Sequence, residues 1–407
     1  MEISILTIGN ELLNGSTLNT NASWIGKSLT KLGCQIKKQI TVKDNKGDVE
    51  NALNTLLINN PSYVIITGGL GSTSDDITRD IIFNYVGVKK NFDKEYWLKL
   101  SQYFKNSGKN NFDFIKNQAY IPSSGKIIPN PSGSARGFNF NFKKSNIIVL
   151  PGVPSEMKKM MTDSIIPDIS SLIKNKYYSK KLRTTGIPES FITANIKDEV
   201  LIDDNCSIGY YPSAYGVDLT ISGYSLKKVK NLSVKIETTL KKNIYSKNDD
   251  SLEKVVVGVG IKMDKTLAVA ESCTGGLLGS RITEVEGSSA FFKGGVVSYS
   301  NESKIDILGV KRSTLKSFGA VSTQVAAEMA ERIRKLFSVD YGISITGIAG
   351  PSGGTESKPV GLVHIGLSSK LNTVVKKFIF STSRSQIKIK TSQAALNILR
   401  LELVYGR

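Results

Sequence analysis

The chain is poor in histidine and cysteine, with one and three in 407 residues, and each scarcity removes a class of protein. A single imidazole, His364, cannot build a His-rich metal site or any site needing two imidazoles. Cys34, Cys206 and Cys273 are odd in number and far apart, so neither a disulfide framework nor a zinc knuckle is expected. No apolar run approaches the ~18 residues that span a bilayer. The opening Met1-Glu2-Ile3-Ser4-Ile5-Leu6 has no basic segment or cleavage site, so it reads as a strand and not as a signal peptide. These absences point to a cytoplasmic protein with no membrane partner.

What is present is a globular composition, 40% hydrophobic and 22% charged, in a chain long enough for two or three domains. The formal charge is +19, which invites a nucleic-acid partner. The lysines, however, are spread along the chain beside asparagine and isoleucine, as a compositional bias written onto solvated faces would spread them. Basic charge alone specifies no partner, and nucleic acid is not expected.

The pattern along the chain predicts an α/β fold made of two distinct α/β domains joined by a small α+β module. Strands are expected at Ile3–Ile8, Gln35–Val42, Tyr63–Thr67 and Ile147–Leu150, with helices at Asn19–Leu32 and Asp48–Asn59. Strands alternating with helices imply parallel βαβ units that bind ligands at the carboxyl ends of the strands. From Leu182 to Ser246 short segments and turn signals predict the small module, and Lys247-Asn248-Asp249-Asp250 reads as a linker. The α/β pattern resumes at Leu252. Helices are expected to Met263, at 275–283, at Ser322–Phe337 and at Ser385–Val404. Strands are expected at 266–270, Gly294–Tyr299, Tyr341–Thr346, 360–367 and 373–380. The domains are drawn at 1–170, 178–247 and 252–407. His364 falls in one of these strands and reads as a structural histidine.

Thr67-Gly68-Gly69-Leu70-Gly71-Ser72-Thr73-Ser74-Asp75-Asp76-Ile77-Thr78 is a glycine-rich loop directly after a buried strand. Gly69 and Gly71 let backbone N–H groups approach a phosphate, and Thr73 adds a hydroxyl donor. Asp75 and Asp76 have the chemistry to hold a hard cation or orient a water. Asp44 ends the preceding strand, and Asn10 and Glu11 follow the first, so all converge on one sheet edge. A tight turn with a capping aspartate is the plainer alternative.

Ile8-Gly9-Asn10-Glu11-Leu12-Leu13-Asn14-Gly15, the Gly68–Thr78 loop and Leu150-Pro151-Gly152-Val153-Pro154-Ser155-Glu156-Met157 resemble the amino-terminal domain of the CinA family, itself similar to the molybdopterin-binding MogA/MoaB fold. The resemblance implies a phosphate-bearing ligand and, in some members, a metal-dependent ADP-ribose pyrophosphatase. Asp44, Asp75 and Asp76 match the acidic positions, a divalent metal (Mg or Co) held by Asp75 and Asp76 is implied, and K with it. Ser72 and Arg136 stand where the family usually shows proline, which is expected to loosen the pocket loops. Leu182-Arg183-Thr184-Thr185-Gly186-Ile187-Pro188-Glu189-Ser190 resembles the family's KH-like module. An RNA-clamping KH domain uses a Gly-x-x-Gly loop. None occurs between 180 and 246, so the module reads as a spacer or dimer element, and a homodimer is expected.

In Ala270-Glu271-Ser272-Cys273-Thr274-Gly275-Gly276 a hydroxyl and a thiol stand between an apolar strand and a glycine-opened helix, whose unpaired N–H groups suit an oxyanion. With one histidine, a Ser-His-Asp or Cys–His arrangement would depend on His364 alone, and no Gly-x-Ser-x-Gly elbow is present. Lysine is the remaining base, provided burial lowers its pKa, and Lys304 follows a predicted strand. Tyr299 is placed to relay a proton or hold Ser272. Equally, Ser272 could cap a helix, Lys304 lie on the surface and Tyr299 pack in the core.

This stretch, with Gly287-Ser288-Ser289-Ala290-Phe291-Phe292, Gly294-Gly295-Val296-Val297-Ser298-Tyr299-Ser300-Asn301-Glu302-Ser303-Lys304 and Thr346-Gly347-Ile348-Ala349-Gly350-Pro351, resembles the CinA carboxy-terminal domain, whose stand-alone relative is PncC. The resemblance implies a nicotinamide-nucleotide amidase of NAD salvage. It would convert nicotinamide mononucleotide to nicotinate mononucleotide and ammonia without a cofactor, with Ser272 as nucleophile and Tyr299 and Lys304 as its activating partners. Backbone N–H groups of Thr274 and Gly275 are expected to hold the oxyanion, and the Gly350–Thr355 loop and Arg384 the substrate phosphate. Cys273 reads as a packed residue. Two alternatives remain, the ADP-ribose pyrophosphatase and a non-catalytic competence or nucleic-acid accessory protein.

Overall fold

A computed structural model describes residues 1–73, 75–106, 113–200 and 206–406. The chain forms two compact units, Met1–Tyr178 and Ser179–Arg407.

In the first unit β1 (Glu2–Ile8), β2 (Gln35–Val42), β3 (Tyr63–Thr67), β6 (Lys126–Ile128), β7 (Gly137–Phe142) and β8 (Ser145–Leu150) form one sheet in the order β2-β1-β3-β8-β7-β6. The β2, β1, β3 and β8 strands run parallel; β7 and β6 are antiparallel additions. β3 is buried at every residue, as a parallel strand covered on both faces must be. The covering helices are α1 (Asn10–Leu13), α2 (Thr20–Lys31), α3 (Lys46–Leu57), α4 (Thr78–Val86), α5 (Lys94–Asn106), α6 (Pro154–Met160) and α7 (Ile166–Leu172), with a ribbon of β4 (Lys90–Phe92) and β5 (Tyr120–Pro122). One core lies on each face, around Leu53, Ile66 and Phe83 and around Ile5, Ile25 and Met160. Asn19 and Asn45 are N-caps, accepting from the N–H groups of Ala22 and Asp48, so α2 starts one residue later and α3 two residues earlier than the periodicity predicts.

The second unit holds two sheets. β9 (Tyr178–Thr184), β10 (Cys206–Ser213), β11 (Gly216–Gly223) and β12 (Ile244–Ser246) give the order β10-β11-β9-β12, packed by α8 (Glu189–Val200) and α9 (Leu226–Leu240). β13 (Leu267–Glu271), β14 (Phe292–Val297), β15 (Tyr341–Gly347), β16 (Leu362–Ser368) and β17 (Thr373–Ile379) give β14-β13-β15-β16-β17, with β14, β13 and β15 parallel. Around this sheet lie α10 (Leu252–Lys262), α11 (Leu277–Thr283), α12 (Asn301–Asp306), α13 (Arg312–Phe318), α14 (Thr323–Leu336) and α15 (Arg384–Tyr405).

The predicted linker is not a free connection. Lys247 pairs with Glu237 at 2.6 Å, and Arg183 donates to the carbonyls of Asp249 and Asp250. Gln393 of α15 donates to the Thr185 hydroxyl at 3.2 Å and the Tyr215 carbonyl at 2.8 Å. The middle module and the carboxy-terminal domain therefore share a buried polar seam and fold into one unit.

Candidate active site

In the second unit, the Ser272 N–H donates to the Ile345 carbonyl at 3.0 Å, extending the β13–β15 pairing and carrying the serine to the carboxyl edge of the sheet. The chain then turns through Gly275 and Gly276, at φ 61° and 91°, left-handed positions that strain any side chain. Lys304 arrives on α12, whose start is set by reciprocal capping: the Ser300 hydroxyl accepts the Ser303 N–H at 3.0 Å, and the Ser303 hydroxyl accepts the Ser300 N–H at 3.1 Å. That cap turns Lys304 inward, where it is 1% exposed. Its Nζ stands 3.1 Å from Ser272 Oγ, 2.7 Å from the Ser298 carbonyl and 3.4 Å from the carbonyls of Tyr299 and Ser300. Burial pushes the Lys304 amine below the usual lysine value, with Cys273 and Glu302 opposing. Ser272 itself is buried, at 8% exposure, against 1% for the lysine.

The neighbouring candidates separate by their contacts. Burial raises the Cys273 thiol to about 12, which keeps it protonated at neutral pH. His364 is buried in β16 with Nδ1 3.2 Å from the Thr323 hydroxyl, and it makes no hydrogen bond to Ser272 or Cys273. Tyr299 is 62% exposed, and its hydroxyl accepts from Arg384 Nη2 at 3.1 Å and not from the serine. Arg384 also donates through Nη1 to the Gly350 carbonyl at 2.6 Å. Arg384 thus ties the Gly350 loop, expected to bind the substrate phosphate, to Tyr299, expected to activate the serine.

The expected oxyanion donors need correction. The Gly275 N–H is already given to the Ser272 carbonyl at 3.0 Å. The N–H groups of Leu278 and Gly279 at the start of α11 go to the Glu271 carboxylate at 3.1 and 2.8 Å. Among the described residues the Thr274 N–H has no such acceptor, and the buried Thr274 and Ser298 hydroxyls have no partner. Two contributors escaped the sequence reading. Glu271 is 1% exposed and anchors the helix after the nucleophile; its signal was a lone carboxylate ending an apolar strand. Lys388 lies beside Gly275, and its signal was the four-residue spacing from Arg384 on a predicted helix.

In the first unit the Asn10 N–H donates to Asp44 at 3.0 Å, and burial, then Glu11 and Asp75, raise the Asp44 carboxyl. Gly69 is required where it stands, because a Cβ there would collide with the Thr78 hydroxyl. Asp76 folds back on its own loop and accepts from the Thr73 N–H and hydroxyl at 2.9 and 2.5 Å, while a Cβ on Gly71 would strike its carboxylate. Ser74 lies outside the described residues. Among those described, no three acidic, histidine or cysteine side chains meet as metal ligands, and Asp76 is spent inside the loop. The expected loosening at Arg136 is also corrected. Its Nη1 bonds Asp93 at 2.7 Å, and its guanidinium lies 3.7 Å from the Tyr96 ring centre, so the loop is pinned. Thr7, Glu11, Asn21, Thr67 and Gly152 line a cleft of about 90 Å³ at the strand ends.

Fold and site define a chain of two α/β domains and a KH-like module that carries a buried Ser–Lys pair at a sheet edge. Residues 4–171 match the probable molybdopterin binding domain family, 179–246 the damage-inducible protein CinA KH domain, and 249–403 the CinA C-terminal domain. A relative from Thermoanaerobacter pseudethanolicus is 39% identical and one from Clostridium novyi 38%, each covering 99% of both chains and provisionally named competence-damage inducible protein. The solved structure of the competence/damage inducible protein CihA from Agrobacterium tumefaciens is 38% identical, covers 37% of this chain and 92% of its own, and has a TM-score of 0.36. The chain belongs to the CinA family.

Proposed function

We propose that the second unit is an amidohydrolase that converts nicotinamide mononucleotide to nicotinate mononucleotide and ammonia. The observation that carries this reading is the Lys304 amine, desolvated and 3.1 Å from the Ser272 hydroxyl. Burial raises the neutral fraction of the amine, and a neutral lysine is a base. The pyridine carboxamide comes from the likeness to the PncC amidases; the buried contact supports Ser272 as nucleophile and Lys304 as base.

As Ser272 Oγ bonds to the carboxamide carbon, Lys304 takes the hydroxyl proton and the carbonyl electron pair moves to oxygen. Of the two expected donors, the Thr274 N–H is the one left for that oxyanion. Collapse breaks the C–N bond, Lys304 returns the proton to nitrogen, and ammonia leaves. Lys304 then deprotonates a water that attacks the acyl-enzyme, and the proton passes to the departing Ser272 oxygen. Tyr299 acts at one remove, as the partner that aligns Arg384.

The purified full chain is expected to release ammonia from nicotinamide mononucleotide in the presence of chelator. Ser272→Ala should lower that rate by roughly 10⁴-fold or more, and Cys273→Ala should retain it. Full activity in Ser272→Ala would remove the serine mechanism, and loss confined to Cys273→Ala would transfer the role to the thiol.

A further inference from the structure

Strand β7 reads Gly137-Phe138-Asn139-Phe140-Asn141-Phe142, and the alternation of a strand sends its two residue types to opposite faces. Phe138 and Phe140 fill the core around Leu53, Ile66 and Phe83. Asn139 and Asn141 therefore face the other way, onto the side where Ile5, Ile128, Ile148 and Ile169 pack. At the outer end of that face the apolar residues give out. Asn139 lies opposite Lys126 and Ile148, Asn141 opposite Asn146, and Asn146 beside Tyr63 at the start of β3. Helix α7 borders them at Asp168 and leaves a pocket of about 350 Å³. It lies at the amino ends of β3 and β8, the opposite end of the sheet from the Gly68–Thr78 loop.

Two groups in the lining lack a protein partner. The Asn139 side-chain oxygen is shut from solvent and accepts no hydrogen bond, a state that costs free energy unless something else donates to it. Asn139 itself is half-buried and lines the pocket, and the last torsion of an asparagine is soft, so a turn of the amide brings that oxygen to a ligand. Tyr63 is 6% exposed, and among the described residues its hydroxyl bonds to no other group. Burial, then the Asp168 carboxylate, raises the phenol, which stays a donor at neutral pH. Lys126 and Asp168, both exposed, are of opposite sign, and the rest of the polar lining is three asparagines and the phenol. One carboxylate does not make a cage for a hard cation, and one solvated lysine facing an aspartate does not hold a phosphate. Amides and phenols both donate and accept, and so do hydroxyls, which makes a molecule dense in hydroxyl groups the chemical match. The volume exceeds what a bound water needs and falls in the range of small-molecule pockets. We infer that this pocket binds a neutral polyhydroxyl ligand of monosaccharide size, with Tyr63 and Asn139 as its inner contacts and Asn141 and Asn146 beside them. The site stands independently of the amidase reading.

Saturation-transfer NMR and calorimetry on the full chain test the site, with D-glucose and D-ribose as probes and glycine and inorganic phosphate as charged controls. Millimolar binding of at least one sugar is expected, with neither control displacing it. A neutral hydrogen bond contributes roughly three- to tenfold in affinity, so Tyr63→Phe and Asn139→Leu should each weaken sugar binding by about that factor. Asn139→Leu removes an acceptor that has no partner, so the thermal midpoint of the ligand-free chain should be equal or higher. A lower midpoint would make the asparagine structural, and Tyr63→Phe, which keeps the ring in the core, would then decide the site alone. No binding of either sugar, unchanged sugar affinity in Tyr63→Phe, or binding of glycine or phosphate in place of the sugars would overturn the proposal.

Discussion

Lys304 is where burial and chemistry are most tightly joined. Its amine is one of the largest fully buried side chains, and three backbone carbonyls together with the Ser272 hydroxyl surround it. Because burial depresses its folded pKa, the unfolded chain binds more protons at this residue between the folded value and the ordinary ~10.4. Stability attributable to this residue is therefore reduced at neutral pH and recovers as pH rises through that window. Lys304→Met should abolish turnover, by roughly 10²–10⁴-fold, while leaving the thermal midpoint at pH 7 equal or higher. A midpoint several degrees lower would show that the lysine is chiefly structural. In the wild type, kcat/KM should rise with pH along a limb lying below the ordinary lysine value; a limb at or above it would contradict the neutral-amine mechanism.

At the scale of elements, α15 is the spine of the second unit. Arg384 at its start reaches Gly350 and Tyr299, Gln393 in its middle reaches Thr185 and Tyr215, and Arg400 near its end donates to the Lys242 carbonyl. Arg281 of α11 closes the arrangement, bonding Ser392, Glu253 and Gln393 with its guanidinium 5.0 Å from the Tyr215 ring centre. Losing one member of such a buried network leaves the others desolvated and unpaired. Gln393→Ala is expected to destabilise the full chain by about 2–3 kcal/mol in urea unfolding of this unit. A change under about 0.5 kcal/mol, the scale of an ordinary surface substitution, would mean the seam contributes little.

For the whole molecule, the contacts gather into two units and not three, because the KH-like module is fastened to the carboxy-terminal domain by buried polar groups. A fragment spanning 179–407 should therefore fold cooperatively and keep the amidase rate of the full chain within about threefold, inside the usual context scatter of such effects. A fragment that aggregates or loses activity would show that the first unit is needed. No helix among the described residues is long and apolar enough to cross a membrane.

The sequence by itself determined the elements with strong patterns. β3 lies where its apolar run places it, from Tyr63 to Thr67, because a parallel strand buried on both faces needs a continuous apolar segment. It also narrowed the candidate bases, since one histidine leaves lysine as the main alternative. The short β4 to β7 strands in the Asn/Lys-rich stretch were not legible, because three to six residues paired across the chain carry too little local pattern. Only the tertiary structure decided what each polar residue faces. It buried Lys304 against Ser272, turned the Tyr299 hydroxyl to Arg384, spent the Gly275 N–H within its turn and set Lys388 over that same turn. Residue type and spacing state what chemistry is available; burial and the competition for hydrogen-bond partners select which of it the site can use.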